Sequence, residues 1–241
     1  MADRGTTKSM RVLEWDSDFF AFPIARIEPA ALMAGGVAEW CRERGIRCAY
    51  LLVDAGDALS LRLAGESEFR TVDVRVTLTA AREGRPLTFD GVVRPANESD
   101  VPALVAIARS AHRDSRFYAD GHFDSARCDD LFAHWIERSC RGWADHVLVF
   151  DAAGHAAGYV TLHARGERAE IGLVGVHEHA RGRGGASALL ADARRWCASR
   201  ALTPVTVVTQ GGNRGALGLY QAAGFDVTHI EVWYHRWFPS P

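Results

Sequence analysis

Three runs in the second half of the chain are dominated by apolar and β-branched side chains: HVLVFD (146–151), GYVTLHA (158–164) and AEIGLVGV (169–176). The turns AAGHAA and RGER separate them. Short apolar runs bounded by such turns predict strands joined as antiparallel hairpins. Upstream the period changes. GVVRPANESD reads as a strand followed by a helix start, with Asn97 or Ser99 as the cap of a helix running to about His112. Leu131, Phe132, Trp135 and Ile136 recur at helical spacing and predict a second helix over Ser125–Arg141. Downstream, a helix begins within the stretch 177–190. A strand at VTVVT, a helix from about Arg214 to Ala223, and two strands, DVTHI and VWYHRW, follow.

The end of this pattern occurs twice. Residues 40–76 align without a gap on 196–232, at a constant shift of 156 residues. Trp40, Cys41, Arg44, Gly56, Leu61, Leu63, Phe69 and Val76 meet identical residues there. The predicted order of helix, strand, helix and strand agrees as well, which marks an internal repeat. The first copy lacks a glycine-rich turn, and it carries Asp57 and Ala64 where the second has Asn213 and Tyr220. Residues 1–85 therefore read as a decayed partial copy that kept a fold and lost a site. Residues 86–241 read as the intact domain, and AAREGRP (80–86) as the linker.

Composition narrows the function classes. The chain has 28 basic against 30 acidic residues, without the basic excess that neutralising nucleic-acid phosphates requires. No basic amphipathic stretch suits a membrane surface, and no apolar run is long enough to span one. The polar start, MADRGTTKSMRVLEW, lacks a signal core, so a cytoplasmic protein is expected. Five cysteines with no C-x-x-C predict reduced thiols, neither disulfides nor a zinc knuckle. HEH at 177–179 does not have the H-E-x-x-H spacing of zinc proteases, and no metal is expected.

The candidate chemistry gathers at HEHARGRGGASALL (177–190), a glycine-rich turn between a strand and a helix. A helix entrance has free N–H groups and the positive end of the helix dipole. Glycines let a bulky anion approach those amides, and Arg181 and Arg183 add charge. A diphosphate suits this turn. No G-K-[ST] follows, so it is not a P-loop. It lacks G-x-G-x-x-G and follows a meander rather than a βαβ unit, which disfavours a nicotinamide cofactor.

Arg181-Gly-Arg-Gly-Gly-Ala186 resembles the [RQ]-x-x-G-x-[GA] motif of the GNAT N-acetyltransferases. GGNRGALGLYQAAGF is similar to their N-x-x-A-x-x-x-Y-x-x-x-G-F segment, through Asn213, Ala216, Tyr220, Gly224 and Phe225. The resemblance covers Val92 to the C-terminus. It implies an α/β (α+β) GNAT fold with a mixed, mostly antiparallel central sheet, preceded here by the partial GNAT-like copy. It also implies acetyl-CoA as co-substrate. The pyrophosphate would lie on the amides of Arg183, Gly184, Gly185 and Ala186 beside Arg181. The pantetheine arm would lie along Leu173, Val174 and Val176 and bond to Asn213. Tyr220 matches the family's general acid, which protonates the leaving thiolate.

Glu170, at the start of the central strand, occupies a place where several family members carry a base; a surface glutamate is the other reading. His163 and His177 are weaker candidates, and water can also take the proton. The acceptor should be set by AHRDSRFYADGHFD (111–124). There Arg113 and Arg116 could clamp a phosphate, and Phe117, Tyr118 and Phe123 could stack on a base or sugar. SRF (Ser115 to Phe117), HWIERS, DHVLV and the early LEWDSDFFAFPIARI are similar to segments of the dTDP-4-amino-4,6-dideoxygalactose N-acetyltransferases. That implies a small-molecule acceptor, a dTDP-amino sugar. Another amino sugar, an aminoglycoside, a protein N-terminus, or a non-catalytic acyl-CoA sensor stay open, as does a homodimer.

Overall fold

The computed structural model describes residues 9–80 and 91–239; apart from Ala80, the linker read at 80–86 lies outside them. In chain order the elements of the first part are β1 (Met10–Val12), α1 (Glu14–Phe20), β2 (Ile24–Ile27), α2 (Pro29–Ala34), α3 (Val37–Glu43), β3 (Cys48–Asp54), α4 (Ala58–Glu66) and β4 (Arg70–Ala80). Then come β5 (Val92–Pro95), α5 (Val101–Ala111), α6 (Arg116–Asp120), α7 (Ser125–Arg138), β6 (His146–Ala152), β7 (His155–Arg165) and β8 (Arg168–Val176). The last are α8 (Gly185–Ala198), β9 (Val205–Gln210), α9 (Arg214–Ala222) and β10 (Phe225–Trp237).

The chain forms two compact units. The first holds residues up to Arg75, together with Arg116–Phe123 and the segment from His229 onward; the second holds Val76–Ser115 and Asp124–Thr228. The division read from the sequence at 85/86 is a single cut. The first unit also takes α6 and most of β10.

In the first unit β1 pairs antiparallel with β2, β2 runs parallel to β3, and β3 pairs antiparallel with Glu231–Trp237 of β10. β3 is buried at nearly every position, as expected of a strand covered on both faces. One face packs Leu51, Val53, Cys41, Phe69 and Tyr234 into a core. Aromatic rings of Phe20, Tyr50, Phe117 and Phe123 form a second cluster.

In the second unit β5, β6, β7 and β8 form an antiparallel meander, and β9 joins β8 in parallel. Tyr159 of β7 meets His112 at the end of α5, while Val160 packs with Leu189 and Leu190 of α8. Neighbouring strand residues face opposite ways, so α5 and α8 lie on opposite faces of this sheet. That explains why Gly158–Leu162 is buried throughout.

Two sequence expectations change. The strands expected at DVTHI and VWYHRW are one strand, β10. Glu231, the break between them, ion-pairs with Arg75 and keeps its place in the ladder opposite Asp54. The helix expected to reach Arg141 ends at Arg138 in a wide turn, Ser139–Trp143, with Gly142 at φ +97°. The expected repeat recurs as element order. α4 and α9 have the same bounds at the shift of 156 residues, β3 matches β9, and β4 matches β10. Asp57 accepts the Ser60 N–H at 3.0 Å, and Asn213 accepts the Ala216 N–H at 3.0 Å.

Candidate active site

β8 and β9 pair through only three rungs: Ala169–Val205, Glu170–Thr206 and Ile171–Val207. Beyond Ile171, β8 runs on to Val176 without β9. On its other side β8 stays paired with β7 across an irregularity between Val160 and Leu162. There Thr161 faces the Gly172–Leu173 step, and its Oγ1 accepts the Leu173 N–H at 2.8 Å. Leu173, Val174 and Val176 thus lie on a strand with one open backbone edge, a place where an extended amide-bearing chain can add.

β8 leads directly into the glycine-rich turn. A short 3₁₀ segment, Glu178–Ala180, precedes Gly182 at φ +75° and Gly184 at φ +78°. Left-handed torsions at both positions explain two of the glycines. The third, Gly185, is buried; a Cβ there would lie 2.7 Å from the Phe150 ring. It lets α8 close onto the core rather than making room for a ligand. α8 has 14 residues and no side-chain cap, in contrast to α4, α7 and α9, which Asp57, Asp124 and Asn213 cap. Its first N–H groups, from Gly185 and Ala186 onward, therefore keep the positive pole of a long helix uncovered. Arg181 and Arg183 are exposed beside it, and Arg181 Nε reaches the Val176 carbonyl at 3.4 Å.

Tyr220 sits on α9, packed with Phe225 in the core of the second unit, ring centroids 6.1 Å apart. Burial raises its pKa, so the phenol is protonated at neutral pH. Its hydroxyl makes no hydrogen bond among the described residues. Glu170 faces a separate cavity of about 210 Å³, lined by Trp135, Trp143, His163, Arg165, Glu170, Gly172 and Leu173. His163 is the rung partner of Glu170 and meets the Trp143 ring edge-to-face at 5.2 Å. Four of these liners, Trp135, Trp143, Arg165 and Gly172, were not legible as site residues in the sequence. Trp135 looked like a helix core position, and nothing near Trp143 or Arg165 in the chain points to a cavity.

The expected acceptor segment divides between the units. Arg113 and Ser115 belong to the second. Arg113 is exposed and ion-pairs with Asp129 at 3.2 Å; Ser115 is buried. Arg116, Phe117 and Tyr118 belong to the first. Phe117 is buried among aromatic rings. The Arg116 guanidinium lies over Tyr50, Phe117 and Trp233 and donates to His235 Nε2 at 3.0 Å. His235 in turn donates through Nδ1 to Asp120, whose carboxylate also accepts the Trp237 indole N–H at 3.0 Å. Burial and the nearby Arg116 lower the His235 pKa to about 4, against the pull of Asp120. A donated Arg116 N–H requires the same neutral ring. Burial would raise the Asp120 carboxyl, but the hydrogen bonds from His235, Trp237 and His122 bring it below its usual value.

The sequence profile of the Acetyltransferase (GNAT) family matches residues 105–225. A dTDP-fucosamine acetyltransferase of Escherichia coli O6:H1 is 32% identical over 235 residues, covering 95% of this chain and 98% of the relative. The chain belongs to the GNAT acetyltransferases. As such it is an acyl-transferring enzyme, and GNAT acetyltransferases use acetyl-CoA. The same fold occurs in a GCN5-related N-acetyltransferase from Sphaerobacter thermophilus, with a TM-score of 0.67 at 20% identity over 96% of this chain and 77% of that one. It occurs also in a tandem GNAT protein from the clavulanic acid biosynthesis pathway, with a TM-score of 0.55 at 14% identity over 90% and 76%. Among the described residues of this GNAT enzyme, no helix is long and apolar enough to cross a membrane.

Proposed function

We propose that this enzyme transfers the acetyl group of acetyl-CoA to the amine of a dTDP-linked 4-amino-4,6-dideoxy sugar. The observation that carries the substrate class is the near full-length likeness to a dTDP-fucosamine acetyltransferase. The open edge of β8 and the uncapped α8 suit the co-substrate's two ends. Leu173, Val174 and Val176 take the pantetheine amides, helped by Asn213, whose Oδ1 is used by its own helix while its amide N–H₂ stays available. The amides of Arg183 to Ala186 take the pyrophosphate, flanked by Arg181.

The neutral amine attacks the thioester carbonyl. As the carbon–nitrogen bond forms and the carbon–sulfur bond breaks, Tyr220 gives its proton to the departing sulfur. Glu170 receives the proton that the ammonium must lose. For the acceptor, the resemblance makes Arg113 and Arg116 the phosphate contacts, and Ser115, Phe117 and Tyr118 the further acceptor residues. Residues 1–85 are a partial copy without a site, with Asp57 and Ala64 in place of Asn213 and Tyr220.

Purified enzyme should release free thiol from acetyl-CoA with the dTDP-4-amino sugar and yield a product heavier by one acetyl group. Turnover of an aminoglycoside or a peptide N-terminus, with none of the nucleotide sugar, would replace this substrate.

A further inference from the structure

We propose that His163 takes the proton from the acceptor's ammonium group, in a pocket walled by Trp135 and Trp143. The proposal rests on the acetyl-transfer reading above and gives that reaction a first proton acceptor ahead of Glu170.

Position is the first argument. His163 stands opposite Glu170 in the ladder, one step from the Gly172–Leu173 irregularity where β8 begins its open edge. An acyl group delivered along that edge ends beside this cavity. The second argument is access. Gly172 is exposed, and a Cβ there would lie 2.8 Å from His163 Nε2. The same Cβ would lie 2.7 Å from Thr161 Oγ1, so the missing side chain both lets the strand pack against Thr161 and keeps a substituent off Nε2. The third is fixity. The residue is 4% exposed, Trp143 packs edge-on against the ring, and the Trp143 backbone lies within reach of a hydrogen bond to the imidazole.

The surrounding charges suit a base. Burial and then Arg165 lower the His163 pKa, against Glu170, Asp145 and a hydrogen bond to the Trp143 backbone, and the net lowering favours the neutral ring. With the proton on Nδ1, the Nε2 lone pair accepts from R–NH₃⁺. The free amine then attacks the thioester, and the imidazolium passes its Nε2 proton to Glu170 or to water. The two indoles give the acceptor's sugar apolar faces to lie against, as aromatic side chains do.

The test is the pH dependence of kcat/KM for the acceptor in the whole enzyme. Wild type should lose rate towards acid pH with a single imidazole limb. His163→Gln should be slower by on the order of 10²-fold at pH 7. Its rate should climb steadily with pH as free amine appears in solution, and KM for acetyl-CoA should hold. Added imidazole should restore His163→Ala. Glu170→Gln should keep the acid limb. An unchanged profile in His163→Gln, or loss of the limb in Glu170→Gln alone, overturns the assignment to His163. Failure of wild type to acetylate any nucleotide-linked amino sugar overturns the functional reading instead, and this proposal with it. If His163→Gln does not fold, ring resonances of His163 in the intact enzyme decide, because a titration unmoved by bound acceptor rejects direct contact.

Discussion

At the scale of single residues, the three glycines of the turn separate two uses of a missing side chain. Gly184 serves a torsion of +78° at the mouth of α8, whereas Gly185 serves a close contact with Phe150. Gly185→Ala should therefore destabilise the fold by roughly 1–3 kcal/mol, the usual range for an overpacked core, measured by urea unfolding. Gly184→Val should show its main effect in calorimetry as weakened acetyl-CoA binding, because the branched side chain strains the turn and crowds the amides. Unchanged affinity in that variant would remove the pyrophosphate from this turn. Tyr220→Phe keeps the ring packed and deletes only the hydroxyl. Its kcat should fall on the order of 10²–10⁴-fold with KM nearly constant. A normal kcat would return Tyr220 to the core. The motif made Tyr220 legible in the chain. The reason for Gly185 was not, because Phe150 is remote in sequence.

Elements show how one cap can serve two ends. Asp57 and Asn213 hold helices of identical bounds with the same bond to the third residue on. Asp57→Ala should lower the urea midpoint through loss of the helix cap and leave steady-state kinetics alone. Asn213→Asp should keep the cap and the melting temperature, yet raise KM for acetyl-CoA, since it replaces an amide donor by a carboxylate. If its KM is unchanged, Asn213 is only a cap. The ungapped repeat in the sequence foretold that these helices correspond at one shift, with the second expected from about Arg214 to Ala223 and found at Arg214–Ala222. It did not foretell that DVTHI and VWYHRW would fuse. A charge at Glu231 looks like a break until its partner, Arg75, is known.

For the whole molecule, acid sensitivity is the accessible property. His235 is 1% exposed and neutral, with a pKa of about 4 when folded against 6.5 as an ordinary histidine. The unfolded chain therefore binds the extra proton first. Stability should be full above about pH 6.5 and fall towards about pH 4, by up to about 1.4 kcal/mol per pH unit from this group. Unfolding by urea between pH 7.5 and 4.5 measures the slope. His235→Gln should reduce it and leave the share of His112, whose pKa burial also lowers to about 4; an unchanged slope would remove His235 from the acid response. Asp120, whose pKa is lowered, adds its own loss only at still lower pH.

Local chemistry determined much of this protein before any folding. Strands and helices follow from apolar periodicity. The turn and α9 follow from glycine, arginine and the Asn213–Tyr220 spacing, because each motif acts through neighbours a few bonds away. Tertiary structure alone decided what lies far apart in the chain. It laid Arg116 over Tyr50 and Trp233, gave α6 to the first unit, and brought Trp135, Trp143, His163 and Glu170 to one cavity. Such groupings depend on which strand faces which helix, and that is settled by the packing of the whole core rather than by any window of sequence.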